Sequence, residues 1–193
     1  MFDGILTPAF LQSACAHVQP TQNVIYLFIG NVSTYDLNIE VSYIDVVTVE
    51  YTEGGVIKSK TITGNKIEDF TPDALSVVTI TGNVTRMDAG APSNGAIKTI
   101  DADDCKSLMS LVTSPSIETL KISKYLTSLD IRGKKITTVY YPANNNAVST
   151  TIANAITNAD ANNGTVYTRE EAKYYATIET AADDKGWTIE ELN

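Results

Sequence analysis

The sequence predicts an α/β solenoid, in which short coils stack into a parallel sheet between a β-rich N-terminal cap and an α/β C-terminal cap. Three observations predict this fold class. A segment of about twenty residues recurs in the middle of the chain. The segments before it are rich in β-branched and aromatic residues. After residue 146 the hydrophobic period changes to that of a helix.

Composition limits the class of protein and its partners. The chain has 193 residues, of which 43% are hydrophobic and 19% charged, which suits one large domain with a sizeable core. The net charge of −9, without any basic stripe, argues against nucleic acid and anionic membrane surfaces as partners. No apolar run approaches the ~20 residues of a membrane span.

The N-terminus, MFDGILTPAFLQSACAHV, contains no convincing signal peptide, because it lacks an early basic residue and Pro8 interrupts its apolar part. The segment LQSAC is faintly similar to a lipoprotein cleavage box that ends at Cys15. The alternative is a short helix with Thr7 as its cap and Pro8 in its first turn. These residues do not determine where the protein is located. They are also compatible with a chain from which a signal peptide has been removed.

Residues 1–55 are the first predicted unit, a helix followed by a β-rich cap or a small β-module. VIYLFIGN and LNIEVSYIDVVTVEY are typical of strands, and Glu53-Gly54-Gly55 predicts a hairpin turn into VIKSKTIT. Four aromatic side chains are assigned to core and cross-strand packing rather than to a ligand platform: Tyr26, Phe28, Tyr43 and Tyr51.

Residues 56–146, the second unit, carry the repeat. The pentapeptide TITGN occurs at 61–65 and 79–83, and the copies end at 65, 83, 105, 125 and 144, in steps of 18, 22, 20 and 19. Residues two apart leave a strand on the same side, so each copy predicts a short strand that pairs in parallel with the next. The predicted inward positions are Ile57, Lys60, Ile62, Leu75, Val78, Ile80, Ile97, Ile100, Ala102, Ile117, Leu120, Ile122, Ile136, Val139 and Tyr141. The opposite wall is expected from Val84, Met87, Leu108, Leu111, Leu126 and Leu129.

The pattern L-x-x-L-x-L-x-x-N/C resembles that of leucine-rich repeats, and in particular the irregular BspA-like repeats of gut Bacteroidetes and their phages. The resemblance covers residues 57–144, with Lys60, Ala102 and Tyr125 as departures from the pattern. It implies a binding or structural role, such as protein–protein interaction, adhesion or assembly of a surface or a virion. A cell-surface or virion location is suggested by this resemblance alone.

Residues 147–193 are the predicted α/β cap. Ile152, Ala155, Ile156 and Ala159 line one helical face, and the run 162–164 is expected to stop that helix before a strand at TVY. Thr168 with Glu171 predicts a capping box for a second helix that ends at Gly186, with WTIEEL as a final strand or an extended tail. The expected inward residues of that helix are Ala172, Tyr175, Ile178 and Ala182.

No catalytic, cofactor or metal motif is present in the sequence. Cys15 and His17 lie two apart on the expected first helix and so do not face each other, and His17 is the only histidine. Glycine-rich nucleotide-binding motifs and zinc spacings are missing. A disulfide between Cys15 and Cys105 is arithmetically allowed, without the spacing of a disulfide framework.

The outward positions of the predicted sheet are the candidate site. They form three rows, which read Val77, Thr99, Thr119, Thr138; then Thr79, Asp101, Lys121, Tyr140; then Thr81, Asp103, Ser123, Pro142. The candidate binding residues are Asp101, Asp103, Lys121 and Tyr140, with a protein or a surface glycan as partner. The alternative function is a carbohydrate-active β-solenoid enzyme that uses Asp101 and Asp103, and a third is an intracellular scaffold.

Overall fold

The computed structural model describes residues 23–31, 36–68 and 70–192. These residues form one mixed sheet of twelve strands, together with two short α-helices. The strands are β1 (Val24–Ile29), β2 (Ile39–Glu53), β3 (Val56–Thr61), β4 (Lys66–Ile67), β5 (Val77–Asp88), β6 (Ile97–Ala102), β7 (Ser110–Val112), β8 (Thr119–Ile122), β9 (Ser128–Asp130), β10 (Thr138–Tyr140), β11 (Thr165–Thr168) and β12 (Thr188–Glu191). The helices are α1 (Asn146–Asn158) and α2 (Tyr175–Lys185), and a 3-10 helix covers Pro92–Ala96. The helix expected at Thr7 and Pro8, with Cys15 and His17, lies outside the described residues.

The predicted α/β solenoid of parallel coils is wrong, because the fold is mostly a mixed sheet that does not close into a solenoid. The main path of the sheet is β12-β11-β10-β8-β6-β1-β5-β2-β3. β1 lies between β5 and β6 and is antiparallel to both, and β2 is antiparallel to β3, β4 and β5. The repeat determines which side chains face the core, but an antiparallel neighbour with the same alternation buries the same face. The sequence pattern therefore cannot determine which strand is the neighbour.

The later copies of the repeat do produce parallel strand pairs. β6 pairs in parallel with β8, β8 with β10, β10 with β11, and β11 with β12, so that Ile100, Leu120, Val139 and Val166 lie side by side and are buried. A second parallel row, β5-β7-β9, aligns Met87, Leu111 and Leu129, which are buried too. The inward direction of Ile100, Leu120 and Val139 was predicted correctly from their spacing of two to the next inward residue. Met87, Leu111 and Leu129 face the core as expected for the opposite wall, whereas no direction had been predicted for Val166.

The first copy of the repeat does not form a coil. All six residues of β3 are exposed, including Ile57 and Lys60, and β3 is one edge of the sheet. Leu75, expected inward, is 74% exposed and has a φ of +57°. Ser123 differs in the other direction: it was assigned to the outward face but is buried, and its Oγ donates a hydrogen bond to the Cys105 carbonyl (3.4 Å).

The two TITGN segments lie on opposite sides of the same strand, β2. Thr48 is the register partner of both Thr61 and Thr81, and Val49 is the partner of both Lys60 and Ile80. The first segment continues from the end of β3 into a bend, whereas the second lies inside the long strand β5. Identical residues therefore adopt different structures, and the sheet positions the two segments around one strand.

The predicted hairpin between β2 and β3 is confirmed. Glu53 pairs with Val56, and the two residues between them, Gly54 and Gly55, have φ values of +61° and +76°. Both values are accessible to glycine without the steric cost that other residues meet. The Asp73 carboxylate accepts the N–H groups of both glycines at 2.8 Å, which fixes the turn.

The C-terminal segments match the predicted order of helix, strand, helix and strand, with different helix boundaries. α1 ends at Asn158, before the expected stop at 162–164, and its cap is Asn145, whose side chain accepts from the Val148 N–H. The predicted capping box is wrong: Thr168 lies in β11 with a buried hydroxyl that no described residue hydrogen-bonds, and α2 begins only at Tyr175. Strand pairing of Thr168 with Glu191 prevails over local capping here. α2 ends at Gly186 as expected, with a φ of +76°.

Candidate binding face and strand-end cleft

One row of outward side chains crosses the parallel part of the sheet. We call it the central row; along it, Tyr26 is followed by Asp101, Lys121, Tyr140, Tyr167 and Glu190, each the register partner of the next. Three of the four candidate residues from the sequence, Asp101, Lys121 and Tyr140, are consecutive in this row. Strands spaced about 4.8 Å apart bring their side chains within contact distance.

Lys121 joins the acidic and the aromatic parts of the central row. Its Nζ lies 3.0 Å from Asp101 Oδ2 and 5.1 Å from the centroid of the Tyr140 ring. Desolvation lowers the pKa of Lys121, but the hydrogen bond and the charge of Asp101 outweigh it, so that the pKa is raised. Lys121 is therefore held as a cation between a carboxylate and the face of an aromatic ring.

Tyr140 and Tyr167 form a stacked pair in the same row. Their ring centroids are 4.2 Å apart and their planes differ by 2°. Interaction with Tyr140, through a hydrogen bond and its charge, raises the pKa of Tyr167. Both rings are half-buried, so the pair is a rigid, partly exposed aromatic surface on the sheet.

The aromatic surface continues onto β1, where the sequence had assigned two side chains to packing. Tyr26 is 37% exposed and Phe28 is 41% exposed, whereas Ile25, Leu27 and Ile29 between and beside them are buried. The expectation of core packing for Tyr26 and Phe28 is therefore wrong, whereas the expectation of cross-strand packing for them stays a prediction. Tyr51 does meet that expectation, since it is buried against Phe70 with ring centroids 4.7 Å apart.

A threonine row runs beside the central row. Thr99, Thr119, Thr138, Thr165 and Thr188 are register partners in succession, and Phe28 stands between Thr99 and Val77. The predicted row of Val77, Thr99, Thr119 and Thr138 thus gains Phe28 and two further threonines. β-branched hydroxyl side chains suit such a half-buried sheet surface.

Asp103, the fourth candidate residue, lies at the edge of a different feature, which we call the strand-end cleft. This cleft has a volume of about 540 Å³ and lies beyond the carboxyl ends of β6, β8, β10, β11 and β12. Its charged lining residues are Asp103, Lys106, Lys124, Arg169 and Glu171. In open parallel sheets, this end of the strands is where ligands usually bind.

The two aspartates of the DADD segment have different surroundings. Asp101 pairs with Lys121 and accepts a hydrogen bond from the Asp103 N–H at 3.4 Å. Desolvation, followed by the charges of Asp101 and Asp104, raises the pKa of Asp103. Asp103 and Glu171 line the same cleft, whereas Asp101 does not line it. Of the two sequence candidates for catalysis, only Asp103 therefore lines the cleft.

Several functional candidates were missed from the sequence. Tyr167 could have been found, because TVY at 165–167 repeats TVY at 138–140 in the adjacent strand. Tyr26 and Phe28 carried no such signal, because every residue of VIYLFI is hydrophobic and only the structure shows which of them are buried. Lys106, Lys124 and Arg169 carried no sequence signal, since they come together only through the parallel pairing of their strands.

The described ranges also limit two further classes of site. No group of three or more His, Cys, Asp or Glu side chains there is placed to hold a metal ion. Neither of the two helices in the described part of the chain is both long and apolar enough to pass through a membrane. Comparison with models of protein families, with curated proteins and with solved structures finds no match to this chain.

Proposed function

We propose that the protein is a non-enzymatic binding or structural protein, which holds a protein or surface-glycan partner on the exposed face of its sheet. The observation that carries this proposal is the central row, in which Asp101, Lys121, Tyr140 and Tyr167 are linked by an ion pair, a cation–π contact and ring stacking. Tyrosine is enriched at protein interfaces because it contributes apolar area and a hydroxyl with little loss of conformational entropy.

Preorganisation supports a binding role for this row. Side chains that are already held by their neighbours lose little conformational entropy on binding, so more of the contact energy appears as affinity. Of the flanking threonines, Thr99, Thr119, Thr138 and Thr165 are half-buried and β-branched, so they too are restricted before any partner arrives. The resemblance of residues 57–144 to BspA-like repeats is a separate argument for a binding protein, with adhesion or virion assembly at a surface as its setting.

Photo-crosslinking from the sheet face tests this proposal. Benzoylphenylalanine replaces Thr119, in the middle of the face, and in a second protein it replaces Thr150, an exposed residue of α1. After illumination with a surface extract of the source cells or particles, we expect a defined adduct from position 119 only. Lys121→Ala and Tyr140→Ala should remove that adduct. Adducts that are the same from both positions, or that persist in both variants, would contradict the proposal.

Glycan hydrolysis is the second candidate function. Its two carboxyl groups would be those of Asp103 and Glu171, in place of the Asp101 and Asp103 pair inferred from the sequence. It is favoured by one observation, namely that Asp103, with a raised pKa, shares the strand-end cleft with Glu171. A glycoside hydrolase uses two carboxyl groups, one as a general acid and the other as a nucleophile or a general base. Release of reducing sugar from a glycan panel, lost in Asp103→Asn and in Glu171→Gln but kept in Asp101→Asn, would establish it. Turnover unaffected by either cleft variant would exclude it.

A further inference from the structure

We infer that the strand-end cleft binds a carboxylated saccharide, with a uronic acid as the recognised unit. This goes beyond the sheet-face function proposed above, because the cleft lies past the strand ends and not on the central row. The inference rests on the cations that line the cleft, on the polar acceptors between them and on an exposed aromatic ring.

Three cations line the cleft, and none of them is neutralised by a carboxylate of the described residues. Lys106, Lys124 and Arg169 all border the same volume. The ion pairs of the described residues use other cations, namely Lys58, Lys66, Arg86, Lys98, Lys121 and Arg132. In a protein of net charge −9, three such cations in one cleft form a local positive site that attracts an anion.

The charge of the cleft favours an anion of one charge. Asp103 and Glu171 line the cleft with the three cations, so five charged groups leave a net charge of about one positive unit there. A sugar carboxylate matches that charge, and an arginine can bind it with two parallel hydrogen bonds. A phosphate dianion carries twice that charge, which exceeds the net positive charge of the cleft, so it would be matched less well.

The remaining lining groups suit the hydroxyls and the ring of a sugar. The carboxylates of Asp103 and Glu171 accept hydrogen bonds from hydroxyl groups. Asn144 is held in place by the hydrogen bond from its Nδ2 to the Lys124 carbonyl (2.6 Å), which leaves its amide oxygen as an acceptor. Tyr125 is 44% exposed at the cleft, and the apolar face of a pyranose can pack against such a ring.

Titration with oligogalacturonate and with its methyl ester tests the inference on the wild-type protein. The ester keeps the ring and hydroxyls and removes only the charge. By isothermal titration calorimetry, we expect the acid to bind and the ester to bind at least about tenfold more weakly, as expected for loss of a charge-assisted hydrogen bond. Equal affinity for acid and ester, or no binding of the acid, would overturn the inference.

Variants then locate the site. Arg169→Gln and Lys106→Gln should each weaken binding of the acid about tenfold, whereas Lys135→Gln should leave it unchanged. Lys135 is a matched control because it is an exposed lysine between β9 and β10, outside the cleft. An equal loss in Lys135→Gln would overturn the assignment to the cleft. Inorganic phosphate binding as tightly as the oligosaccharide would overturn the assignment to a sugar.

Discussion

Tyr140 and Tyr167 stack across β10 and β11, with ring centroids 4.2 Å apart and planes that differ by 2°. Neighbouring parallel strands place the two rings in register, and the tripeptide TVY on each strand supplies the same side chain at the same position. The contact extends the Asp101–Lys121 ion pair into an aromatic surface.

The stacked pair should stabilise the sheet through a measurable coupling. In a double-mutant cycle of Tyr140→Ala and Tyr167→Ala, we expect a favourable coupling of about 0.5–1.5 kcal/mol in the free energy of unfolding by urea. A cycle of Tyr125→Ala with Tyr167→Ala is the control, since no ring contact of Tyr125 with another aromatic ring occurs among the described residues. Coupling of the stacked pair no larger than that of the control would contradict the prediction.

Ionisation of Asp103 should destabilise the folded protein. The folded-state pKa of Asp103 is raised by desolvation and by neighbouring carboxylates. The contribution of this side chain to the free energy of unfolding is therefore present in acid, where the carboxyl is protonated, and is lost as the pH rises through that pKa. Asp103→Asn should therefore match the wild type in acid and become more stable than it towards neutral pH. Urea unfolding across this range measures the difference. Asp184→Asn, on the exposed side of α2, controls for the loss of one negative charge. If its stability relative to the wild type changes with pH as that of Asp103→Asn does, ionisation of Asp103 is not the cause.

The two TITGN glycines should differ in their tolerance of alanine. Gly64 and Gly82 have φ values of +100° and +136°, so alanine at either position costs roughly 1–3 kcal/mol of backbone strain. At Gly64 a new Cβ meets nothing within 4 Å, but at Gly82 it would lie 2.5 Å from the Val46 carbonyl oxygen. We therefore expect Gly82→Ala to be clearly the more destabilising in chemical denaturation. Equal losses would show that the clash with β2 does not occur.

The buried hydroxyl of Thr168 should cost stability. Its Oγ1 has no hydrogen-bond partner among the described residues, and Thr168→Val removes the hydroxyl while the side-chain shape is nearly kept. We expect the variant to be more stable by about 1 kcal/mol, seen as a higher Tm. Thr113→Val is the matched control and should destabilise, because the Thr113 Oγ1 accepts from the Arg132 N–H at 2.9 Å. A loss of stability in both variants would mean that Thr168 has a partner after all.

The sequence by itself determined the side of the sheet on which most residues lie. Spacings of two and three gave the inward direction of Val78, Ile100, Leu120 and Val139 correctly, because these directions follow from the pleat of each strand alone. The same local information identified the glycine turn before β3 and the end of α2 at Gly186. It also placed Asp101, Lys121 and Tyr140 in one outward row.

Only the tertiary structure decided which strands are neighbours. β1 inserts antiparallel between β5 and β6, so Tyr26 stands between Thr79 and Asp101, which the repeat had placed side by side. Strand pairing also prevailed over local capping at Thr168. Lys106, Lys124 and Arg169 are 18 or more positions apart in sequence and share a cleft only because β6, β8 and β11 end on the same side. Local periodicity determines the face of each strand, whereas the order and direction of strands depend on contacts between distant segments.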